Sequence, residues 1–73
     1  MKADDIVEAA KNAYVKRGSV CVRFGAVGPS LDGPSIGDLY CTHAIAVTEL
    51  IVYFYVNEHL VGAFLAPCVK EVL

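Results

Sequence analysis

Hydrophobic residues near the start of the chain recur every three or four positions, which is the period of an α-helix. The residues with this spacing are Ile6, Val7, Ala10, Ala13 and Tyr14. The pattern predicts one amphipathic helix from Asp4 to Arg17. Asp4 or Asp5 is expected to cap its first turn, and Gly18 is expected to end it.

At Ser19 the period changes to two, which is typical of a strand with one buried face. The residues expected on that face are Val20, Val22, Phe24 and Ala26. A second strand is predicted from Leu39 to Thr48. A hairpin follows, with a two-residue turn near Asn57 and Glu58. The last seven residues, PCVKEVL, are expected to form a short helical turn or an irregular tail.

Both faces of the predicted hairpin are apolar. With a regular two-residue turn, one face carries Leu50, Val52, Phe54, Val56, Val61, Ala63 and Leu65, and the other carries Ile51, Tyr53, Tyr55, Leu60, Gly62 and Phe64. An antiparallel sheet with one face in water alternates apolar with polar residues, and this one does not. Because the chain has one helix of useful length, we expect one face to stay open to a partner.

These elements predict an α+β fold, one domain over residues 1–73, in which the N-terminal helix packs on a four-stranded antiparallel meander. The alternative is a small closed β-barrel with an N-terminal helix. In architecture, this order of elements resembles that of SH3-like and Sm-like small barrels. Tyrosine is favoured at interfaces for its apolar body and polar tip. The predicted interface therefore consists of Ile51, Tyr53, Tyr55, Leu60 and Phe64.

Size and composition favour self-association. A chain of 73 residues is near the smallest that folds alone without a metal, a disulfide or a partner. Its hydrophobic share is 56%, above the usual share of about 45–50%. Burial against a second copy would cover this excess.

The charge pattern argues against nucleic-acid and membrane partners. The net charge is −2, and no lysine or arginine occurs between Phe24 and Val69. Nucleic-acid binding needs cations along the contact face. The most apolar stretch, Ala44 to Val56, is interrupted by Glu49 and is too short to span a bilayer.

Three cysteines, an odd number without a Cys-x-x-Cys spacing, indicate reduced thiols and neither a disulfide framework nor a zinc motif. The opening residues MKADDIVEAA lack the pattern of a secretory signal. We therefore expect a cytoplasmic protein.

The segment GPSLDGPSIGD, from Gly28 to Asp38, is predicted to be a stiffened connection between two strands. It lacks the lysine of a phosphate-binding loop, and Asp32 and Asp38 would repel phosphate. A role as a lid or a partner contact is the alternative for this loop.

Cys41 and His43 lie two residues apart in the predicted second strand and would share one face. A nucleophile with its base, or two metal ligands, would have this spacing. Apolar neighbours favour instead a buried thiol beside a satisfied histidine. The sequence accordingly predicts no catalytic, cofactor-binding or metal site.

We interpret the chain as a protein-interaction module, such as an accessory, adaptor or inhibitor protein, and not as a catalyst. It is expected to form a homodimer or another homo-oligomer through the tyrosine-bearing face, with a further protein partner as an option. The alternative is a small-ligand-binding protein or minimal enzyme whose site forms between subunits from Tyr53, Tyr55 and His43.

Overall fold

The chain forms one helix and six strands in a computed structural model that describes residues 1–25 and 35–73. The elements are helix α1 (Ala3–Arg17) and strands β1 (Val20–Gly25), β2 (Ser35–Cys41), β3 (His43–Ala46), β4 (Ile51–Val56), β5 (His59–Leu65) and β6 (Val69–Val72). A 3₁₀ turn, Ala66–Cys68, links β5 to β6. The predicted loop from Gly28 lies outside the described residues as far as position 34, and its last four residues belong to β2.

The predicted helix is confirmed, with a different start. Lys2 occupies the N-cap position in extended backbone, and no side chain caps the helix, so the expected cap by Asp4 or Asp5 is wrong. Both aspartates lie in the first turn, where the helix dipole favours negative charge. At the other end Gly18 adopts a left-handed φ of 74° and donates its N–H to the carbonyl of Tyr14 at 2.8 Å.

The strands form two antiparallel sheets of three strands each, and not one four-stranded meander. We call the sheet with the order β2-β1-β6 sheet A, and the sheet with the order β3-β4-β5 sheet B. The predicted strand from Leu39 to Thr48 is divided at Thr42, because β2 pairs with β1 and β3 pairs with β4. The C-terminal segment was expected to form a short helical turn or an irregular tail. A 3₁₀ turn is present at its start, but the residues after it form β6, which pairs with the other side of β1.

Thr42 holds the chain where it crosses from sheet A to sheet B. Its N–H and its hydroxyl both donate to the carbonyl of Tyr55, at 2.7 and 3.1 Å. The same hydroxyl accepts the N–H of Asn57 at 2.8 Å. Thr42 therefore connects the crossing point with the end of β4 and with the turn that follows it.

The core lies between α1 and the inner faces of the two sheets. Its fully buried or nearly buried members include Ile6, Ala10, Val20, Val22, Phe24, Val52, Phe54 and Val69. The alternation predicted for β1 is confirmed for its described residues. Helix α1 packs chiefly against β3, where Ala44 is buried and leaves room for close approach. The rings of Phe24 and Phe54 meet edge to face at 5.9 Å between centroids, a favoured aromatic geometry.

The β4–β5 hairpin has the predicted two-residue turn, Asn57 and Glu58, between the paired residues Val56 and His59. Asn57 has a φ of 54°, a left-handed conformation that asparagine tolerates well. The predicted register holds at Tyr55 and Leu60, which are directly paired.

A β-bulge changes the register farther along β5. Phe54 pairs with Gly62, so Val61 is an extra residue on β5. Since directly paired residues share a face, Phe64 lies beside Val52 on the core side, and the predicted grouping of Phe64 with the tyrosines is wrong. The ring of Phe64 also covers Gly62, where an added Cβ would overlap ring atom Cε2.

Replacing Thr42 tests the crossing point. We expect Thr42→Val to lower the free energy of unfolding by about 0.5–1.5 kcal/mol, because it removes the hydrogen bonds of the hydroxyl with the N–H of Asn57 and the carbonyl of Tyr55 at a partly exposed site. Thr42→Ser keeps the hydroxyl and should recover most of the loss. Urea denaturation followed by circular dichroism measures both variants, and equal stability of the valine and serine variants would contradict the assignment.

Candidate interaction surface

One face of sheet B points away from the core and carries mostly apolar side chains. We call it the outer face of sheet B, and it comprises His43, Ile45, Ile51, Tyr53, Tyr55, Leu60, Ala63 and Leu65. The assignment follows from direct pairing across the strands, for example Ile45 with Tyr53 and Tyr53 with Ala63. Three strands about 4.8 Å apart, with rises of about 3.4 Å per residue, give it an extent of roughly 14 by 20 Å.

The aliphatic residues of this face are well exposed. Ile45, Leu60 and Leu65 expose 47%, 52% and 48% of their surface. Tyr53 and Tyr55, on the central strand, are half-buried. None of the eight side chains is Asp, Glu, Lys or Arg. A continuous apolar surface of this kind marks contact sites more often than it occurs by chance on a monomer.

Sheet A provides a comparison within the same molecule, because its outer face is charged. Arg23 on β1 donates from Nε to Asp38 on β2 at 3.2 Å, and from Nη1 to Glu71 on β6 at 3.4 Å. The hydrogen bond to Asp38 and the charge of that carboxylate raise the pKa of Arg23. Tyr40, on the same face, is 67% exposed. These ion pairs lie at the surface, so this face is compatible with water.

A stacked pair of rings introduces polar atoms into the otherwise apolar face. The rings of His43 and Tyr55 are parallel within 4°, with centroids 5.1 Å apart. Nδ1 of His43 lies 3.3 Å from the hydroxyl of Thr42. That hydroxyl also donates to the carbonyl of Tyr55, so it contacts both the imidazole and the backbone of β4. The imidazole and phenol rings lie face to face.

Four of the five predicted interface residues lie together: Ile51, Tyr53, Tyr55 and Leu60 are all on the outer face of sheet B. Phe64 is on the opposite side, with its ring centroid 4.3 Å from that of Phe24 and 6.1 Å from that of Phe54. It remains 37% exposed because it is near the sheet edge. Phe64 therefore does not share a face with Tyr53 and Tyr55.

The predicted interface left out half of this face. The omitted residues are His43, Ile45, Ala63 and Leu65, of which His43 was grouped with the tyrosines only in the alternative of a ligand site between subunits. Ala63 and Leu65 were placed on the core side because the bulge at Val61 was not anticipated. The isolated glycine at position 62 was an available signal, since glycine inside a strand often accompanies a bulge.

Cys41 and His43 point in different directions, contrary to the prediction that they share a face. Cys41 pairs with Val20 and is buried, whereas His43 pairs with Tyr55 and is exposed. The crossing at Thr42 separates them. Burial, and to a lesser degree the nearby Cys21, raises the pKa of Cys41 from 9.0 to about 11. A protonated thiol in the core is a poor nucleophile, so the two residues form no nucleophile–base pair.

Two open grooves flank α1, with volumes of about 530 and 690 Å³. The first lies between α1 and β3, and the second lies between the start of α1 and the loop after β3. Their linings include Asp4, Glu8 and Glu49, and neither groove includes Tyr53 or Tyr55. Within residues 1–25 and 35–73, no group of three or more His, Cys, Asp or Glu side chains is arranged to hold a metal ion.

Comparisons of the chain with protein-family models, with curated proteins and with solved structures give no match. In the part of the chain that the structure describes, no helix has the length and apolarity needed to cross a membrane.

Because the thiol of Cys41 is buried, we expect the protein to lose stability at alkaline pH. The unfolded thiol loses its proton near pH 9, whereas the folded thiol keeps it until about pH 11. The contribution to stability is therefore complete below pH 9 and is lost as the pH rises towards 11. Denaturation curves at pH 7 to 11 should show this decline in the wild type and a shallower one in Cys41→Ala. Parallel pH dependence in the two proteins would contradict the assignment.

Proposed function

We propose that this protein is a small protein-interaction module whose copies associate through the outer face of sheet B. The observation that carries the proposal is the contrast between the two outer faces. Sheet A presents Arg23 between two carboxylates, whereas sheet B presents eight residues without Asp, Glu, Lys or Arg. An antiparallel sheet face that contacts only water usually carries polar side chains.

The side chains suit a protein contact better than catalysis. Tyr53 and Tyr55 combine large apolar rings with hydroxyl groups that tolerate both water and a partner. An uncharged face is also compatible with its own copy across a two-fold axis, because no like charges meet there. We propose an accessory, adaptor or inhibitor role for such an oligomer. The three free thiols support a reducing compartment such as the cytoplasm.

For the architecture, we propose that the two sheets are the halves of a partly open small barrel of the SH3-like or Sm-like kind. Two features support this alternative over the meander. Strand β1 pairs on both sides, with β2 and with the C-terminal β6. The chain also passes between the sheets twice, at Thr42 and through the 3₁₀ turn Ala66–Cys68. The helix and the inner faces then enclose a common core.

A pair of matched charge substitutions tests the interface. Tyr53→Glu places a carboxylate in the centre of the outer face of sheet B, so that like charges meet between copies. We expect self-association to weaken by at least about tenfold. Tyr40→Glu puts the same change on the outer face of sheet A and should leave association unaltered. Light scattering coupled to size-exclusion chromatography measures the mass of each.

Circular dichroism of both variants checks that they are folded. A wild-type protein that stays at 7.8 kDa at all concentrations would refute self-association. Equal effects of the two glutamates would instead refute the choice of face.

A second candidate function, small-ligand binding between subunits, is favoured by one observation. His43, Tyr53 and Tyr55 share the face that we assign to the contact, and the rings of His43 and Tyr55 are stacked. A ligand held there would raise the melting temperature in a screen of metabolites and cofactors, by about 3 °C or more at saturating concentration. The shift should shrink in His43→Ala. A screen in which no compound stabilises the protein would favour the interaction module alone.

A further inference from the structure

Strand β5 is an edge strand with unusually exposed side chains. It pairs with β4 on one side, and its other side faces no strand among the described residues. Six of its seven residues are exposed, the exception being the half-buried Gly62. The large apolar members are Leu60, Val61, Phe64 and Leu65. The exposure extends to both faces of the strand.

The backbone of β5 presents hydrogen-bonding groups at this edge. The N–H of Ala66 donates to the carbonyl of Leu50 at 2.6 Å, which identifies these two residues as a hydrogen-bonded pair. Such pairs alternate along an antiparallel ladder, so Phe64 and Gly62 also bond to β4. The N–H and C=O groups of Ala63 and Leu65 consequently point away from β4, towards the open edge.

The edge of β5 carries none of the side chains by which proteins block strand addition. Charged side chains, proline and β-bulges are the usual protection, and His59–Leu65 contains no Lys, Arg, Asp, Glu or Pro. The bulge at Val61 disturbs the N-terminal part of this edge, so the part open to regular pairing is Gly62 to Leu65. The edge strands of sheet A differ in their side chains, since β6 carries Lys70 and Glu71, and β2 carries Asp38. Among the described strands, the uncharged edges belong to sheet B, beside its apolar face.

We propose that the open edge of β5 pairs antiparallel with β5 of a second copy. This inference rests on the proposed self-association and adds a second contact to it. The occupant is a second copy because the strand is uncharged and apolar, so two identical edges meet without electrostatic repulsion. Half of four large side chains plus the edge backbone amounts to roughly 400 Å² per copy, which is below the total of about 1,000 Å² that a stable specific contact needs, so the edge contact by itself is weak. A dimer that dissociates on dilution is expected.

The two contacts have different symmetry axes. Pairing of β5 with its copy uses a two-fold axis perpendicular to sheet B, and it joins the two outer faces into one continuous surface. Packing of outer face on outer face uses a two-fold axis parallel to the plane of the sheet. Perpendicular axes that do not intersect would give an open filament, and axes that intersect give a closed tetramer, which is the expected arrangement. With a chain of 7.8 kDa, its mass would be about 31 kDa, and each contact alone would give about 16 kDa.

Ala63→Pro tests the edge contact, because it removes an N–H that points outward and leaves the ladder with β4 intact. Ala63→Val keeps that N–H and is the matched control, because it makes a side-chain change of similar size at the same position of the outer face. We expect Ala63→Pro to show half the mass of Ala63→Val in light scattering, and Ala63→Pro combined with Tyr53→Glu to give the monomer. A wild-type oligomer that Tyr53→Glu dissociates fully and Ala63→Pro does not affect would overturn the edge contact and leave the proposed function standing.

Amide exchange of the wild type gives a readout that needs no variant. In a chain with an open edge, the amides of Gly62 and Phe64 are protected by β4, and those of Ala63 and Leu65 exchange quickly. Edge pairing predicts that Ala63 and Leu65 become at least about tenfold slower when the protein is concentrated through the micromolar range. Fast exchange at both positions in the oligomer would refute the inference. Slow exchange that appears only after a different protein is added would also refute it, since the occupant would then be another chain.

Discussion

The carbonyl oxygen of Tyr55 receives two hydrogen bonds from Thr42, one from the backbone and one from the side chain. This small cluster fixes where the chain leaves one sheet and enters the other. Without a defined crossing, β2 and β3 would be one strand, and the core side chains before and after residue 42 would point to opposite sides. Cys41 and Ala44 are both buried although they are three positions apart. The alternation of buried and exposed side chains therefore shifts by one residue at the crossing.

The crossing also explains why the two outer faces differ so much in chemistry. Each sheet contributes one face to a shared core, and each has one face left over. On sheet A, cross-strand ion pairs centred on Arg23 make the remaining face hydrophilic. On sheet B, the remaining face has aromatic and aliphatic side chains. The helix cannot cover it, because α1 lies on the inner side against β3. The two three-stranded sheets of this short chain therefore have outer faces of different chemistry, one charged and one apolar.

Local pattern was sufficient for α1, for β1 and for the turn at Asn57, since their periods and turn residues are decided within a few positions. Local pattern failed where pairing between strands that are distant in sequence decides the structure. Because most residues near Thr42 are apolar, a one-residue shift in which side chains are buried cannot be seen in the hydrophobic pattern. Strand β6 has only four residues, two of them charged, and it is a strand because β1 offers it an edge. The same reasoning found the tyrosines of the candidate surface and misplaced Phe64, since a single bulged residue reverses every assignment beyond it.

The bulge at Val61 has a consequence for how this surface could change during evolution. The number of residues in β5, and not only their identity, decides which side chains lie beside Tyr53 and Tyr55. Loss of Val61 itself would leave every pair beyond it unchanged, but loss of Ala63 with the bulge kept would exchange the two sides of the strand end, bringing Phe64 out beside Tyr53 and turning Leu65 inward. A length change in one short strand would thus remodel binding specificity in a single genetic step, without any substitution.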